Sequence, residues 1–315
     1  MSARAVGATM PRASRDGVSL YYEREEAEAH DAETVVFLQD VGLGRWSWRW
    51  QREALRGDYD VIAPDTRGTG RSETGLPPLI PSLPARLRRP AIATLAGYAV
   101  DGLAADLEAV LDDAGVREAH LVGIGLGGMV AQEYALSHDR ARSLALLATS
   151  HGGADAGAIP DDAREELLAA GGGDDRATIR RRMRTEFAER FLHRNPHLLD
   201  RIVEWRLEQD AAAPAREAQF AATTGFDASD RVGGIRVPTL VCHGTDDRVV
   251  PVANARLLAE TIPDARLEPI DGGSHALAVE HADRVGDLLR TFLASPDRTV
   301  ETGRVAASDP PGGQV

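Results

Sequence analysis

The chain alternates short apolar runs with polar or glycine-rich stretches. The runs are rich in β-branched and aromatic residues, which is typical of strands that are buried on both faces of a sheet. They predict strands at residues 17–23, 34–38, 59–63, 120–122, 143–148, 239–242 and 266–270.

Helical periodicity fills the gaps between these runs. From Leu103 to Leu111, apolar residues recur at i, i+4, i+7 and i+8, with Asp and Glu on the opposite face. Similar patterns lie at 128–137, after a group of glycines, and at 285–292. Strands that alternate with helices predict an α/β fold with a mostly parallel, doubly wound sheet.

Two segments interrupt this alternation. The first is rich in proline and too long for an ordinary strand-to-helix connection, and the second has helical patterns but no convincing strand. We interpret the second as an inserted helical cap. The predicted organisation is a loose leader (1–16), a first core part (17–151) with the Pro-rich insertion (74–97), the cap (152–231, with helices at 161–170, 177–192 and 198–208), a second core part (232–294) and a disordered tail (295–315).

Composition narrows the choice of partners. The net charge is −13 and the pI is near 5.2, which argues against nucleic acid and anionic membranes and leaves a small molecule as the expected substrate. The first residues lack an apolar signal core and no apolar run is long enough to span a membrane, so we expect a cytoplasmic monomer or homodimer. The chain has no lysine, which excludes Schiff-base chemistry, and its one cysteine, Cys242, cannot form an internal disulfide.

The most informative segment, HLVGIGLGGMVAQEYA, begins at residue 120 and predicts a strand, a glycine-rich turn and a helix. Gly123, Gly125 and Gly128 match a dinucleotide fingerprint, whereas Gly123, Gly125 and Gly127 match a nucleophile elbow, G-x-S-x-G, with glycine in place of serine. A dinucleotide site needs a carboxylate at the end of the next strand, where this chain has Ala-Thr-Ser. The context therefore favours the elbow, and we expect no cofactor.

Other segments support the elbow and stand in a consistent order. With the elbow they are FLQDVGLGRWSWRWQ (37–51), VIAPDTRGTGRS (61–72), VGIGLGGMVAQ (122–132), VPTLVCHGTDDRVVP (237–251) and IDGGSH (270–275). Together they resemble the α/β-hydrolase fold family, in the group of enol-lactonases, cofactor-free haloperoxidases and epoxide hydrolases. The resemblance covers about residues 17–295 and implies a triad acid at Asp247 and a triad histidine at His275.

The chain departs from that family at two places. Gly125 lacks the hydroxyl that would form an acyl-enzyme, and Gln39-Asp40 stands where the family usually has His-Gly. The resemblance assigns the oxyanion-hole N–H groups to Val41 and Leu126. A carboxylate at Asp40 would oppose a developing oxyanion there, so both departures disfavour acyl transfer.

The remaining residues predict a proton-handling site. We expect Asp247 to orient His275 as a general base or acid, and Asp40 to be a second proton-handling group. No metal site is expected. Around this catalytic group, the predicted oxyanion-hole and pocket residues are Val41, Leu126, Gln39, Trp48, Ser150 and His151, with Gly125 as the vestigial nucleophile position.

Several functions fit these residues. The first hypothesis is non-hydrolytic acid–base chemistry, such as elimination, isomerisation or cyclisation, on a small hydrophobic metabolite, in the manner of a lyase or cyclase of secondary metabolism. One alternative is an ester or lactone hydrolase that uses His-activated water or whose serine was replaced by engineering. Another is a ligand-binding protein without catalysis, in which His275 and Asp247 are structural only. His243 is interpreted as a packing residue.

Overall fold

The computed structural model describes residues 11–92, 96–168 and 175–295. Residues 296–315, on which most of the predicted disordered tail falls, and most of the predicted leader lie outside these ranges. The described residues form one eight-stranded sheet in the order β1-β2-β4-β3-β5-β6-β7-β8. Its strands are β1 (Arg12–Arg15), β2 (Val18–Glu25), β3 (Thr34–Leu38), β4 (Asp60–Pro64), β5 (Ala119–Ile124), β6 (Ala141–Leu147), β7 (Thr239–Gly244) and β8 (Arg266–Ile270).

Helices cover the sheet and form an insertion after β6. In the described part of the chain they are α1 (Arg49–Leu55), α2 (Ala85–Ile92), α3 (Val100–Asp113), α4 (Leu126–Ser137), α5 (Asp161–Leu167), α6 (Arg176–Glu186), α7 (Glu189–Arg194), α8 (Pro196–Gln209), α9 (Ala213–Gly225), α10 (Ala253–Thr261), α11 (Leu277–Glu280) and α12 (Ala282–Leu293). Helices α5 to α9 lie between β6 and β7 in the sequence, and we refer to them as the cap.

The central strands are parallel. Strands β3 to β8 pair in parallel, and only β1 and β2 pair antiparallel with their neighbours. In β5 and β7 every residue is buried, as expected for strands covered on both faces. Because the carboxyl ends of parallel strands meet at one edge, the loops after β3, β5, β7 and β8 converge there.

Apolar side chains form separate cores on the two faces of the sheet and under the cap. One face packs against α3, α4 and α10, and the other packs against α1 and α12. A third cluster joins α6 and α8 to Trp46 and Val279. The cap therefore rests on its own apolar contact with the loops at the carboxyl edge, beside the place where the strand ends converge.

The elements that differ from the sequence predictions include one strand and two parts of the cap. Strand β1 forms within the predicted leader, because Asp16 and Gly17 both have positive φ and close a tight hairpin to β2. The helix predicted at 177–192 is divided into α6 and α7, because the backbone is extended at Phe187 and Ala188, and the Ala188 N–H is donated to the Glu280 carboxylate. Helix α9 is a cap helix that the sequence patterns did not single out. Among the described helices, none has the length and apolar character needed to cross a membrane.

Trp48 offers a test of the core on the α1 side of the sheet. Its side chain is fully buried, and its ring centroid lies 5.1 Å from that of Phe37. We expect Trp48→Ala to lower the free energy of unfolding by about 3–5 kcal/mol, because it removes a large buried side chain and leaves a cavity. Urea denaturation measures this change. Leu207→Ala on the exposed side of α8 is the control, and an equal loss there would contradict the assignment.

Candidate functional site

The site begins at the sharp turn between β5 and α4. Gly125 has φ 52° and ψ −117°, in a region that L side chains rarely adopt. A Cβ atom built on Gly125 would lie 1.9 Å from Oδ1 of Asp40. The carboxylate of Asp40 therefore fills the space that a side chain at position 125 would need.

Asp40 lies in the loop that follows β3, and each carboxylate oxygen has its own partner. The backbone N–H of Leu126, the first residue of α4, donates to Oδ1 at 2.8 Å. Oδ2 is 2.9 Å from Nε2 of His275. The carboxylate thus joins the helix start to the loop after β8.

His275 connects two carboxylates. Its Nδ1 is 2.8 Å from Oδ2 of Asp247, and its Nε2 contacts Asp40. Asp247 also accepts hydrogen bonds through Oδ1 from the backbone N–H groups of Val249 and Val250, at 2.8 and 2.9 Å. The side chains of Asp247 and His275 are 0% and 6% exposed, so this chain of contacts is largely shielded from water.

Electrostatic interactions favour the charged forms of Asp40, His275 and Asp247, and we refer to these three side chains as the ion triad. Burial opposes charge on His275, but the carboxylates of Asp247 and Asp40 outweigh it and hold the pKa of the imidazole well above its usual value. Burial would raise the pKa of both carboxyls. Contacts with His275 prevail, aided by the backbone of Leu126 and Val41 at Asp40, so both pKa values are below normal. The expected state at neutral pH is an imidazolium between two carboxylates.

A cavity under the cap opens onto this triad. Asp40 and His275 line it together with Gly125, Leu126 and Val41. Apolar, charged and small polar residues form the rest of the wall: Leu43, Met129, Ile159, Leu167, Phe220, Val249, Val250, Arg182, Glu186, Arg206, Asp210, Arg216, Gly42, Thr149 and Thr223. The wall therefore combines apolar surface with charged groups from the triad and the cap.

The charged part of the wall comes from the cap. Arg206 of α8 forms an ion pair with Glu186 of α6. Its Nε lies 3.7 Å from Oδ2 of Asp210, which caps the C-terminal end of α8. Burial raises the pKa of Asp210 to about 6 despite the nearby Arg206. Asp210 also accepts hydrogen bonds from Trp46 Nε1 and Gly44 N, which ties the cap to the loop that carries Asp40.

The structure brings together most, but not all, of the residues that the sequence assigned to the site. Asp40, Val41, Gly125, Leu126, Asp247 and His275 meet at one place. Trp48 packs in the core and also lines a second, small cavity that Asp40 and His275 share. The other three lie outside the wall of the cavity under the cap: Gln39 bonds Phe37 and Thr66, and Ser150 and His151 bond backbone groups of the 150–152 turn.

Some site residues escaped the sequence analysis. The charged cap residues Glu186, Arg206 and Asp210 carry no motif, because they meet the cavity only through the packing of α6 and α8. His243, interpreted as a packing residue, lies 3.2 Å from the Asp247 carboxylate, and its i,i+4 spacing to that residue was the available signal. Within the described residues, no group of three or more His, Cys, Asp or Glu side chains could hold a metal ion.

Comparisons with known proteins agree with this architecture. A family model of the α/β hydrolase fold matches residues 34–282. A candidate carbamate hydrolase, RutD, of Azorhizobium caulinodans is 31% identical over 297 residues, which cover 92% of this chain and 100% of that protein. The enol-lactonase from Burkholderia xenovorans LB400 has a TM-score of 0.75 and 25% identity, over 90% of this chain and 100% of that one. Est816, described as an N-acyl homoserine lactone degrading enzyme, has a TM-score of 0.69 and 27% identity, over 90% and 100%.

The chain belongs to the α/β-hydrolase family. The mostly parallel sheet and the sharp turn between β5 and α4 are those expected from the sequence resemblance. The family indicates a hydrolase more than a lyase, cyclase or isomerase, which moves the first functional hypothesis behind its hydrolytic alternative.

The contact between Asp40 and Gly125 gives a steric prediction. We expect Gly125→Ser to lower the free energy of unfolding by about 3 kcal/mol or more, because it adds overpacking, positive-φ strain and a broken hydrogen-bond network. In Asp40→Gly/Gly125→Ser the obstructing carboxylate is gone, so the double variant should be more stable than the single Gly125→Ser. Chemical denaturation of both compares them. Equal stabilities would contradict a clash at Asp40.

The ion triad predicts a pH-dependent contribution to stability. The pKa of His275 is raised by folding, so its stabilisation is complete below its unfolded pKa of about 6.5 and declines as pH rises towards the folded value. The Asp40 and Asp247 pKa values are lowered, so their contributions are complete above about pH 4 and decline in acid. The stability difference between wild type and His275→Gln should be largest near pH 6 and shrink towards pH 9 in denaturation experiments. A difference that stays constant over this range would argue against an imidazolium.

Proposed function

We propose that this protein is a hydrolase that cleaves small esters, lactones or carbamates with an activated water, through Asp40, His275 and Asp247 rather than through residue 125. One observation carries the proposal: the Asp40 carboxylate occupies the side-chain space of residue 125 and contacts both His275 and the Leu126 N–H. The group facing the cavity is then a carboxylate that can accept a proton, beside an imidazolium that can donate one.

The proposed cycle uses both members of this pair. Asp40 takes a proton from a bound water, and the resulting hydroxide attacks the substrate carbonyl carbon. His275 donates its Nε2 proton to the leaving oxygen or nitrogen. Asp40 then returns its proton to His275 and restores the ion triad, while Asp247 keeps the imidazole ring oriented throughout.

The Leu126 N–H, which is already bonded to Asp40, also takes part in the proposed reaction. At rest this donor stabilises the charge of Asp40, so it is not free for a substrate oxygen. When Asp40 accepts a proton, its negative charge disappears as charge develops on the substrate carbonyl oxygen. The backbone donors can then stabilise that oxygen instead.

The substrate class rests on the relatives and on the cavity. The names of similar proteins refer to carbamates, an enol-lactone and an acyl homoserine lactone, all of which contain a carbonyl that water can attack. The cavity wall has apolar residues from the core and the cap, including Met129 and Phe220, and charged residues from α6, α8 and α9. A compact molecule with an apolar part fits this wall.

A second candidate function keeps the same residues but abstracts a proton from carbon. The observation in its favour is that Leu126 N–H already bonds Asp40, which weakens the case for an acyl transition state at that donor. In this reading Asp40 removes a proton next to an activating group and His275 protonates the product. This would give elimination, isomerisation or cyclisation without net uptake of water.

The fit between Asp40 and Gly125 bears on how the site arose. A serine at 125 would collide with the Asp40 carboxylate, so removing a serine alone from a working elbow would not give this geometry. The two residues are better explained as a matched pair of natural changes than as a single engineered knockout.

A panel of esters, lactones and carbamates tests the proposal. We expect Asp40→Asn and His275→Gln each to reduce kcat by about 100-fold or more, because each removes one partner of the acid–base pair. Asp246→Asn, at an exposed carboxylate beside Asp247, is the matched control and should keep full activity. In ¹⁸O-labelled water, the acid product should carry the label from the first turnover.

The same panel distinguishes hydrolysis from proton abstraction at carbon and from ligand binding without catalysis. Turnover that His275→Gln and Asp40→Asn leave unchanged would refute both acid–base proposals. If the panel is inert and a deletion strain accumulates a compound that the protein converts without incorporating water, the second candidate replaces the first. Tight binding that neither variant alters, with no product, would favour a ligand-binding protein.

A further inference from the structure

His243 is a buried histidine with two acceptors and one unsatisfied ring nitrogen. It lies at the carboxyl end of β7 and is fully buried. Its Nε2 is 2.9 Å from the carbonyl oxygen of Val250 and 3.2 Å from Oδ2 of Asp247. Among the described residues, Nδ1 has no hydrogen-bond partner.

These contacts determine which ring nitrogen of His243 carries the hydrogen. The Val250 carbonyl can only accept a hydrogen bond, and so can an ionised Asp247, so the proton must be on Nε2. A second proton on Nδ1 would be a buried donor without a partner, and the ring would carry a buried charge. The Nε2–H of His243 is therefore donated to the Val250 carbonyl oxygen and also faces the Asp247 carboxylate.

The Nε2–H of His243 joins β7 to the loop that carries Asp247, through its hydrogen bond to the Val250 carbonyl oxygen. His243 belongs to the strand, whereas Asp247 and Val250 lie beyond the turn that follows it. Oδ2 of Asp247 thus lies 3.2 Å from Nε2 of His243 and 2.8 Å from Nδ1 of His275, while Oδ1 accepts two backbone N–H groups. A buried carboxylate with this many donors has one orientation and a strong preference for its ionised form.

We propose that His243 is a positioning residue of the proton-handling triad, whose Nε2–H holds Oδ2 of Asp247 against Nδ1 of His275 and ties the Asp247 loop to β7. This inference deepens the proposed function and rests on it for its catalytic meaning. Burial would raise the pKa of Asp247, but His275 and, after it, His243 lower it, and an ionised Asp247 in turn supports the imidazolium form of His275. His243 therefore acts on the reaction through two other residues and does not touch the substrate.

Other charged groups near His275 come from separate elements. Asp40 approaches from the loop after β3, and Glu186 and Arg206 of the cap share a small cavity with His275. None of these groups bonds His243 in the described part of the chain. A change confined to His243 should therefore alter the Asp247 side of the triad and leave the Asp40 side in place.

Two amide substitutions separate positioning from packing. In His243→Gln the amide nitrogen can reach the place of Nε2, whereas in His243→Asn it reaches only the place of Nδ1. Both variants are made in the full chain with ¹⁵N-labelled histidine. NMR then follows the titration of the His275 ring, which is assigned by the signals that disappear in His275→Gln, and hydrolysis of the ester, lactone and carbamate panel is measured in parallel against pH.

We expect His243→Asn to lower the titration midpoint of His275 by about one pH unit, because an Asp247 carboxylate that is no longer held against Nδ1 supports the imidazolium less well, and His243→Gln to restore most of it. The pH profile of kcat should shift in the same direction. Indistinguishable Asn and Gln variants, or an unchanged His275 midpoint in His243→Asn, would overturn the proposal. If Asn prevents folding, a wild-type midpoint in a folded His243→Leu variant, which lacks the donor, overturns it equally. The NMR result does not depend on turnover, so it stands even if the panel shows that the proposed hydrolysis is wrong.

Discussion

The hydrogen bonds of the Asp40 carboxylate are the constraint on which the site depends. One oxygen accepts the first N–H of α4 and the other contacts His275, so a single side chain occupies the space of a nucleophile and also contacts its histidine partner. Gly125 is the residue that this arrangement requires, because any Cβ there would overlap the carboxylate. Glycine at position 125 and aspartate at position 40 are therefore sterically linked, because the carboxylate takes the space that a side chain at 125 would need.

The cap is what keeps Asp40 in that position. Gln219 of α9 accepts the Gly42 N–H, and Ala211 donates to the Gly42 carbonyl oxygen, so the loop after β3 is held at its backbone just beyond Asp40. Asp210 holds the same loop further along, at Gly44 and Trp46. The cap therefore does more than cover the cavity. Its helix ends fix the loop that supplies the acidic group, so substitutions in the cap should affect the triad as well as substrate choice.

Much of the fold could be predicted because it follows from local chemistry. Buried parallel strands such as 34–38 are continuous apolar runs. The strand, glycine-rich turn and helix around residue 125 are likewise predicted by their local sequence. Strand β1 was missed because it has one buried apolar side chain, Ala13, and only the Asp16-Gly17 turn signalled the hairpin. The partners of Asp40 could not be read, because they depend on loops after three different strands. Residues that the fold brings together from different loops at the edge of a sheet have no regular spacing in the sequence.

Hydrogen-bond pattern alone does not make such a cluster a site, as another part of the same sheet shows. His120 contacts Ser143 at 2.7 Å and Glu33 at 3.0 Å, a serine–histidine–carboxylate sequence of contacts like that of a hydrolase. It lies at the amino ends of β5 and β6, Ser143 is fully buried, and burial lowers the pKa of His120. Its histidine is therefore poised to be neutral, with a hydroxyl that no substrate can reach. His275 differs on both counts, since it meets a cavity and is held charged by two carboxylates. Access and charge, more than the order of the three side chains, identify the candidate active site.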